Sequence, residues 1–182
     1  MMPPDVPEAS PTSGSEPNVR TGAKRPDHLL LYVDGASSGN PGPAGAGALV
    51  KDPDGTTLLE KARAFGPATN NVAEYQSLIL GLELAATLKP RRLTIRSDSE
   101  LMVRQVAGQY RVKALHLKPL LLQVRRLIAP FESVEIQHIP REKNAEADAL
   151  SRKALEKARK VDADLPPDAR KSPASAKVFR LK

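Results

Sequence analysis

The stretch Leu29-Leu30-Leu31-Tyr32-Val33-Asp34-Gly35, continued as ASSGNPGPAGAGALV to Val50, constrains this chain more than any other. An unbroken apolar run bounded by turn residues reads as a strand covered on both faces of a sheet, here over residues 28–34. It ends on a carboxylate, and Gly35, Gly39, Asn40, Pro41 and Gly42 break the backbone behind it. A charge next to a buried strand is costly to hold, so Asp34 needs a chemical reason to be there.

Around that strand the chain has room for one domain with a core. It is 182 residues long, 40% hydrophobic and 27% charged, which is ordinary for a globular protein. Aromatic residues make up only 3%, so Leu, Val, Ile and Ala must fill the interior. Six prolines fall in the first 27 residues, and that stretch, without helical or strand period, reads as a disordered tail. Residues 161–182, with Pro166-Pro167 and scattered charges, read as a flexible basic tail, leaving the folded domain at 28–160. Of the net charge of +7, about +6 belongs to residues 28–160, with 20 basic against 14 acidic residues. That balance suits a polyanionic partner, nucleic acid first, although basic residues also simply solvate helices.

Several classes are excluded or disfavoured. With no cysteine there is no disulfide framework, no thiolate nucleophile and no cysteine-bound zinc. Three histidines (His28, His116, His138) do not furnish a metal cage, so a bound metal would need oxygen ligands, as Mg²⁺ or Mn²⁺ do. No apolar run reaches membrane-spanning length and no signal-peptide pattern opens the chain, so a cytoplasmic protein with no membrane partner is expected.

Beyond the first strand, Ala46, Ala48 and Val50 begin a second, and the turn DPDG (52–55) leads into a third, TTLLEKARAF. Tyr75, Leu78, Ile79, Leu82, Ala85 and Ala86 then recur at helical spacing up to Pro90. A strand RLTIRS (92–97) precedes a short helix capped by Ser99 and broken at Gly108. A helix over 118–128, a strand over 134–139 and a final helix capped by Asn144 and running to about Lys160 complete the order. Three antiparallel strands followed by βα crossovers imply an α/β fold with a five-stranded mixed sheet flanked by helices.

Four acidic residues sit where such a fold makes sites. Asp34 and Asp98 leave the carboxyl ends of strands, Glu74 lies in the first turn of the first helix, and Asp148 lies in the first turns of the last. Seen singly, a first-turn acid is a complement to the helix dipole. Together in one cleft, four carboxylates raise each other's pKa, and a divalent cation resolves the conflict. Two-metal phosphodiester hydrolysis is the chemistry that wants such a cluster. A phosphate-cradling nucleotide loop is disfavoured, because no Gly-Lys-Ser/Thr and no G-x-G-x-x-G opening a helix follows the glycines.

The motifs YVDGASSGNPGPAGAGALV, TNNVAEYQSLILGL, IRSDSELMVRQVAG and HIPREKNAEADALS occur in that order, each with its acidic residue. Together they resemble ribonuclease H of type I over roughly residues 28–156. The resemblance implies a ribonuclease-H-like fold and an endonuclease that hydrolyses the RNA strand of RNA/DNA hybrids to 5′-phosphate and 3′-hydroxyl ends. It implies two Mg²⁺ or Mn²⁺ ions per active site, held by Asp34, Glu74, Asp98 and Asp148 as catalytic residues, with Asp34 bridging. Gly35, Ser37, Asn40, Asn70 and Asn71 would meet RNA 2′-hydroxyls, Thr69 a DNA phosphate, and Arg141 a phosphate. Two features depart from many bacterial members. The PREKN loop carries Arg141, Glu142 and Lys143 where those members place a histidine, and no Trp-rich basic protrusion follows Tyr110. In its place Arg111, Lys113, Lys118, Arg125 and Arg126 are candidate phosphate contacts. The PREKNAEADALS ending is similar to the archaeal and retroelement-like branch, which adds double-stranded RNA as a second candidate substrate. The chain is expected to be a monomer. Two rivals keep the fold: a module that binds hybrid without cutting, and a nuclease of DNA duplexes.

Overall fold

The computed structural model describes residues 25–166. The two expected tails fall largely on residues 1–24 and 167–182, outside the described residues. Five strands form one sheet: β1 (His28–Ser37), β2 (Gly42–Lys51), β3 (Thr57–Ala68), β4 (Arg92–Ser97) and β5 (Ser133–His138). The order is β3-β2-β1-β4-β5, antiparallel from β1 through β3 and parallel from β1 through β5. The helices are α1 (Asn70–Ala86), α2 (Glu100–Val106), α3 (Lys118–Ile128) and α4 (Ala145–Asp164), with 3-10 turns at Leu115–Leu117 and Arg141–Asn144. Among the described residues no helix is long and apolar enough to cross a membrane.

The alternation of β1 assigns its two faces. Leu29, Leu31 and Val33 are buried, and a Cβ on Gly81 of α1 would meet Val33 Cγ1 at 2.7 Å and Leu31 Cδ1 at 2.8 Å, so these side chains face α1. Tyr75, Leu78, Ile79, Leu82 and Ala85 join them from α1, while Ala46, Ala48 and Val50 join from β2. This aliphatic core is what a chain so poor in aromatics predicts. Asp34, the next residue of β1, points to the opposite face, which α4 covers.

The hairpin differs from expectation. The glycine-rich stretch is strand, since β1 continues past Asp34 to Ser37 and β2 begins at Gly42. Ladder pairs run from Leu30↔Lys51 to Ser37↔Ala44, and the Ser38 N–H donates to the Pro43 carbonyl at 2.8 Å. Parallel pairing with β4 stops at Tyr32↔Arg96. Asp34 is therefore the point where β1 has lost one neighbour and kept the other, which opens a notch at the sheet's edge. The last helix runs to Asp164, beyond the expected stop near Lys160. The chain is already held at Arg25, whose Nη2 donates to the Pro90 carbonyl at 3.1 Å.

Candidate active site

Each of the four carboxylates is brought to this notch by a different element. Asp34 stands in β1 and is 5% exposed. Its Oδ2 accepts from the Ser151 hydroxyl of α4. Glu74 is 7% exposed, and its Oε2 accepts from the Gly35 N–H at 3.2 Å. That contact exists because Gly35 has no side chain: a Cβ there would lie 2.2 Å from the Ala73 carbonyl carbon. Asp98 follows the last residue of β4, and its Oδ1 accepts from Asn144 Nδ2 at 2.7 Å. Asp148 in the first turn of α4 takes Arg141 Nη2 at 3.0 Å on one oxygen and Arg152 Nε at 3.0 Å on the other.

The positions bear on the dipole reading. Helix α1 begins at Asn70, so Glu74 is its fifth residue, and the first turn holds no acid. The expectation of a first-turn Glu74 is thereby corrected: Thr69 sets the helix start, with its Oγ1 accepting from the Val72 N–H at 3.2 Å. A buried acid past the first turn gains little from the dipole.

Electrostatics tie the four together. Burial, opposed by the Ser151 hydrogen bond and augmented by the charges of Asp98 and Asp148, raises the Asp34 carboxyl to about 6. Burial, together with the charges of Asp34 and Asp98, raises Glu74 to about 9. The Arg141 guanidinium, its own pKa raised chiefly by the hydrogen bond to Asp148, acts on Asp34 and Glu74 in the opposite sense. Among the described residues no three His, Asp or Glu side chains form a ready-made metal cage. Each carboxylate is instead engaged by its own protein donor.

The candidate substrate contacts gather at the neighbouring rim. Ser37 Oγ donates to the Gly39 carbonyl at 2.9 Å, and Asn40 Oδ1 accepts from the Asn70 N–H at 3.3 Å, joining the hairpin tip to the start of α1. Asn70 and Asn71 are exposed beside them, and Arg141 is 65% exposed over Asp148. Thr69 is half-buried, with its side chain used as the helix cap. Of the five candidate phosphate contacts after α2, three (Arg111, Lys118 and Arg125) line an open groove of about 560 Å³ with Gln105 and Tyr110. Lys113 and Arg126 lie outside it.

Two neighbours of the carboxylates escape the sequence reading. Asn144 reads as a helix cap, yet its side chain makes no capping bond. Ser151 carries no signal except its place three residues after Asp148 in ADALS. Ser99 likewise makes no side-chain cap, and its N–H donates to Ser97 Oγ at 3.1 Å.

Comparison with known proteins gives a consistent set. The family model described as reverse transcriptase-like matches residues 32–154. A bifunctional protein of Mycobacterium tuberculosis is 41% identical over 131 residues, which is 71% of this chain and 36% of that protein. The chain thus spans about a third of the length of that relative. Ribonuclease HI of Halobacterium salinarum is 38% identical over 148 residues, covering 80% of this chain and 74% of the relative. Among solved structures, LC11-RNase H1 in complex with RNA/DNA hybrid superposes with a TM-score of 0.69 at 40% identity, covering 72% of this chain and 99% of that one.

Proposed function

Since the chain belongs to the ribonuclease H family, we propose that it is an endoribonuclease that hydrolyses the RNA strand of RNA/DNA hybrids, leaving 5′-phosphate and 3′-hydroxyl ends. The observation that carries this reading is the meeting of Asp34, Glu74, Asp98 and Asp148 from four elements beside a rim of exposed amides. A module that only binds would gain nothing from two carboxyls raised to about 6 and about 9 by burial and each other's charge. The hybrid held by LC11-RNase H1 supports the substrate class.

The donor set fits divalent ions of the magnesium and manganese kind, because every candidate ligand is oxygen and the buried negative charge demands a counter-charge. Asp34, Glu74, Asp98 and Asp148 would hold two such ions, which supply Lewis acidity toward the attacking and leaving oxygens. The chain's own residues set everything else. Asp34, which feels both Asp98 and Asp148, is central to the cluster. Gly35, Ser37, Asn40, Asn70 and Asn71 present close backbone and amide groups that hydrogen-bond a 2′-hydroxyl and so select the RNA strand. Arg141 holds positive charge beside the reacting phosphate. Thr69, Arg111, Lys118 and Arg125 serve phosphates of the strand that is not cut.

The test is cleavage of four end-labelled duplexes of one sequence with Mg²⁺ or Mn²⁺: RNA/DNA, RNA/RNA, DNA/DNA, and DNA with one ribonucleotide. Cutting of the RNA strand of the hybrid, abolished by EDTA, is expected. Cutting of DNA/DNA, or tight binding of hybrid with no cutting of any duplex, would refute the assignment, whereas added RNA/RNA cutting would widen the substrate class.

A further inference from the structure

Two of the donors at this site are delivered by an unusual seat between helix and sheet. Gly47 is the ladder partner of Asp34. A Cβ on Gly47 would lie 2.5 Å from the Ala147 carbonyl oxygen and 2.6 Å from the Ser151 nitrogen, and one on Gly45 would lie 2.6 Å from the Ser151 carbonyl oxygen. Helix α4 therefore rests on bare β2 backbone, nearer than any side chain would allow. That approach brings Ser151, 0% exposed, against Asp34. Its Oγ also stands 2.9 Å from the Asp148 carbonyl. A hydroxyl has one proton to give, and the carboxylate is the stronger acceptor.

Asn144 repeats the arrangement on the other side. It occupies the cap position of α4, where its oxygen could accept a helix N–H, and makes no such bond. Its Nδ2 donates instead to the Val33 carbonyl at 2.9 Å and to Asp98 Oδ1 at 2.7 Å. The Asn144 Oδ1 is buried without a partner among the described residues. Stability alone would favour the cap and leave no buried oxygen unsatisfied.

We propose that Ser151 and Asn144 are positioning residues that hold the Asp34 and Asp98 carboxylates in the orientation a divalent cation requires, with Gly45 and Gly47 seating the helix that delivers them. This rests on the cation reading given above. Each donor takes one carboxylate oxygen, Oδ2 of Asp34 and Oδ1 of Asp98. The other oxygen stays available, and the carboxylate's rotation is fixed. Partners of this kind behind a metal ligand are worth about 10–100-fold in affinity or activity.

The experiment titrates Mg²⁺ and Mn²⁺ calorimetrically into the metal-stripped full chain without nucleic acid. The proteins compared are the parent, Ser151→Ala, Ser151→Cys, Asn144→Ala and Gly47→Ala, with kcat, KM for hybrid and Tm measured for each. Ser151→Ala and Asn144→Ala are expected to bind metal roughly 10-fold more weakly and to lose kcat by a similar factor, with KM unchanged. Ser151→Cys, of similar size and a weaker donor, recovers part of the loss. Gly47→Ala reproduces it with Ser151 intact; if that variant does not fold, the two Ser151 variants decide. Unchanged metal affinity in both alanine variants, or a kcat loss that follows only Tm, overturns the proposal alone. A parent that binds neither ion overturns the cation reading together with it.

Discussion

Asp34 shows how one residue can be read for chemistry because it violates the pattern around it. Leu29, Leu31 and Val33 face the α1 core, and the next position, turned to α4, carries a charge only 5% exposed. Asp34→Asn keeps the shape and removes the charge; it is expected to abolish cleavage while the Kd for hybrid changes little, and turnover in that variant would refute the assignment. Gly35 is equally constrained. Gly35→Ala places a methyl 2.2 Å from backbone of α1, so it should displace the helix start and Glu74 with it, costing about 1–3 kcal/mol in denaturant unfolding and most of the activity. Asp34 stood out in the sequence because it breaks a local rule, a charge closing an apolar strand, whereas a first-turn acid such as Asp148 satisfies the helix dipole and stood out only jointly with the other acids. Asn144 did not stand out, because an asparagine before a helix satisfies a local rule, capping, and the structure directs it elsewhere; Ser151 did not, because a serine in the second turn of α4 breaks no local rule.

At the scale of elements, Thr69 and the seat of α4 make the difference between a legible and an illegible boundary. Thr69 caps α1 through its side chain, so Thr69→Ala should cost about 1 kcal/mol of stability in a denaturant melt. A larger effect on hybrid affinity than on stability would instead point to its role at a DNA phosphate. The apolar spacing of α1 revealed that element, as periodicity does when one face meets the core. The start of β2 stayed hidden because Gly42, Gly45 and Gly47 have low strand propensity. Their reason is tertiary: Gly45 and Gly47 give α4 its close approach, and no window of local sequence contains α4. The additional turn of α4 past Lys160 was missed for a related cause, since Val161, Asp162 and Asp164 lack the helical apolar stripe in isolation.

For the whole molecule, the buried carboxyls couple folding to pH and to metal. Asp34 rises from 3.8 to about 6 and Glu74 from 4.5 to about 9. In both cases the folded pKa exceeds the unfolded one, so the native protein keeps protons that the unfolded chain has released, and stability falls as pH rises. The advantage is complete below 3.8 and 4.5, and it is lost through about 6 for Asp34 and through about 9 for Glu74. The Asp34 share is about 3 kcal/mol at 1.36 kcal/mol per pKa unit. Metal-free protein should therefore melt several degrees lower at pH 8 than at pH 5, and Asp34→Asn should flatten the part of that slope below pH 6. Mg²⁺ binds the ionised carboxylates of the folded state, so the Tm gain on adding it should be small at pH 5 and grow toward pH 8. Differential scanning calorimetry with and without EDTA measures both slopes. A metal-free Tm that climbs over this range, or a Mg²⁺ gain independent of pH, would mean that the charge at the notch is balanced by the chain's own arginines, Arg141 and Arg152, and that a cation is not what the fold is built to receive.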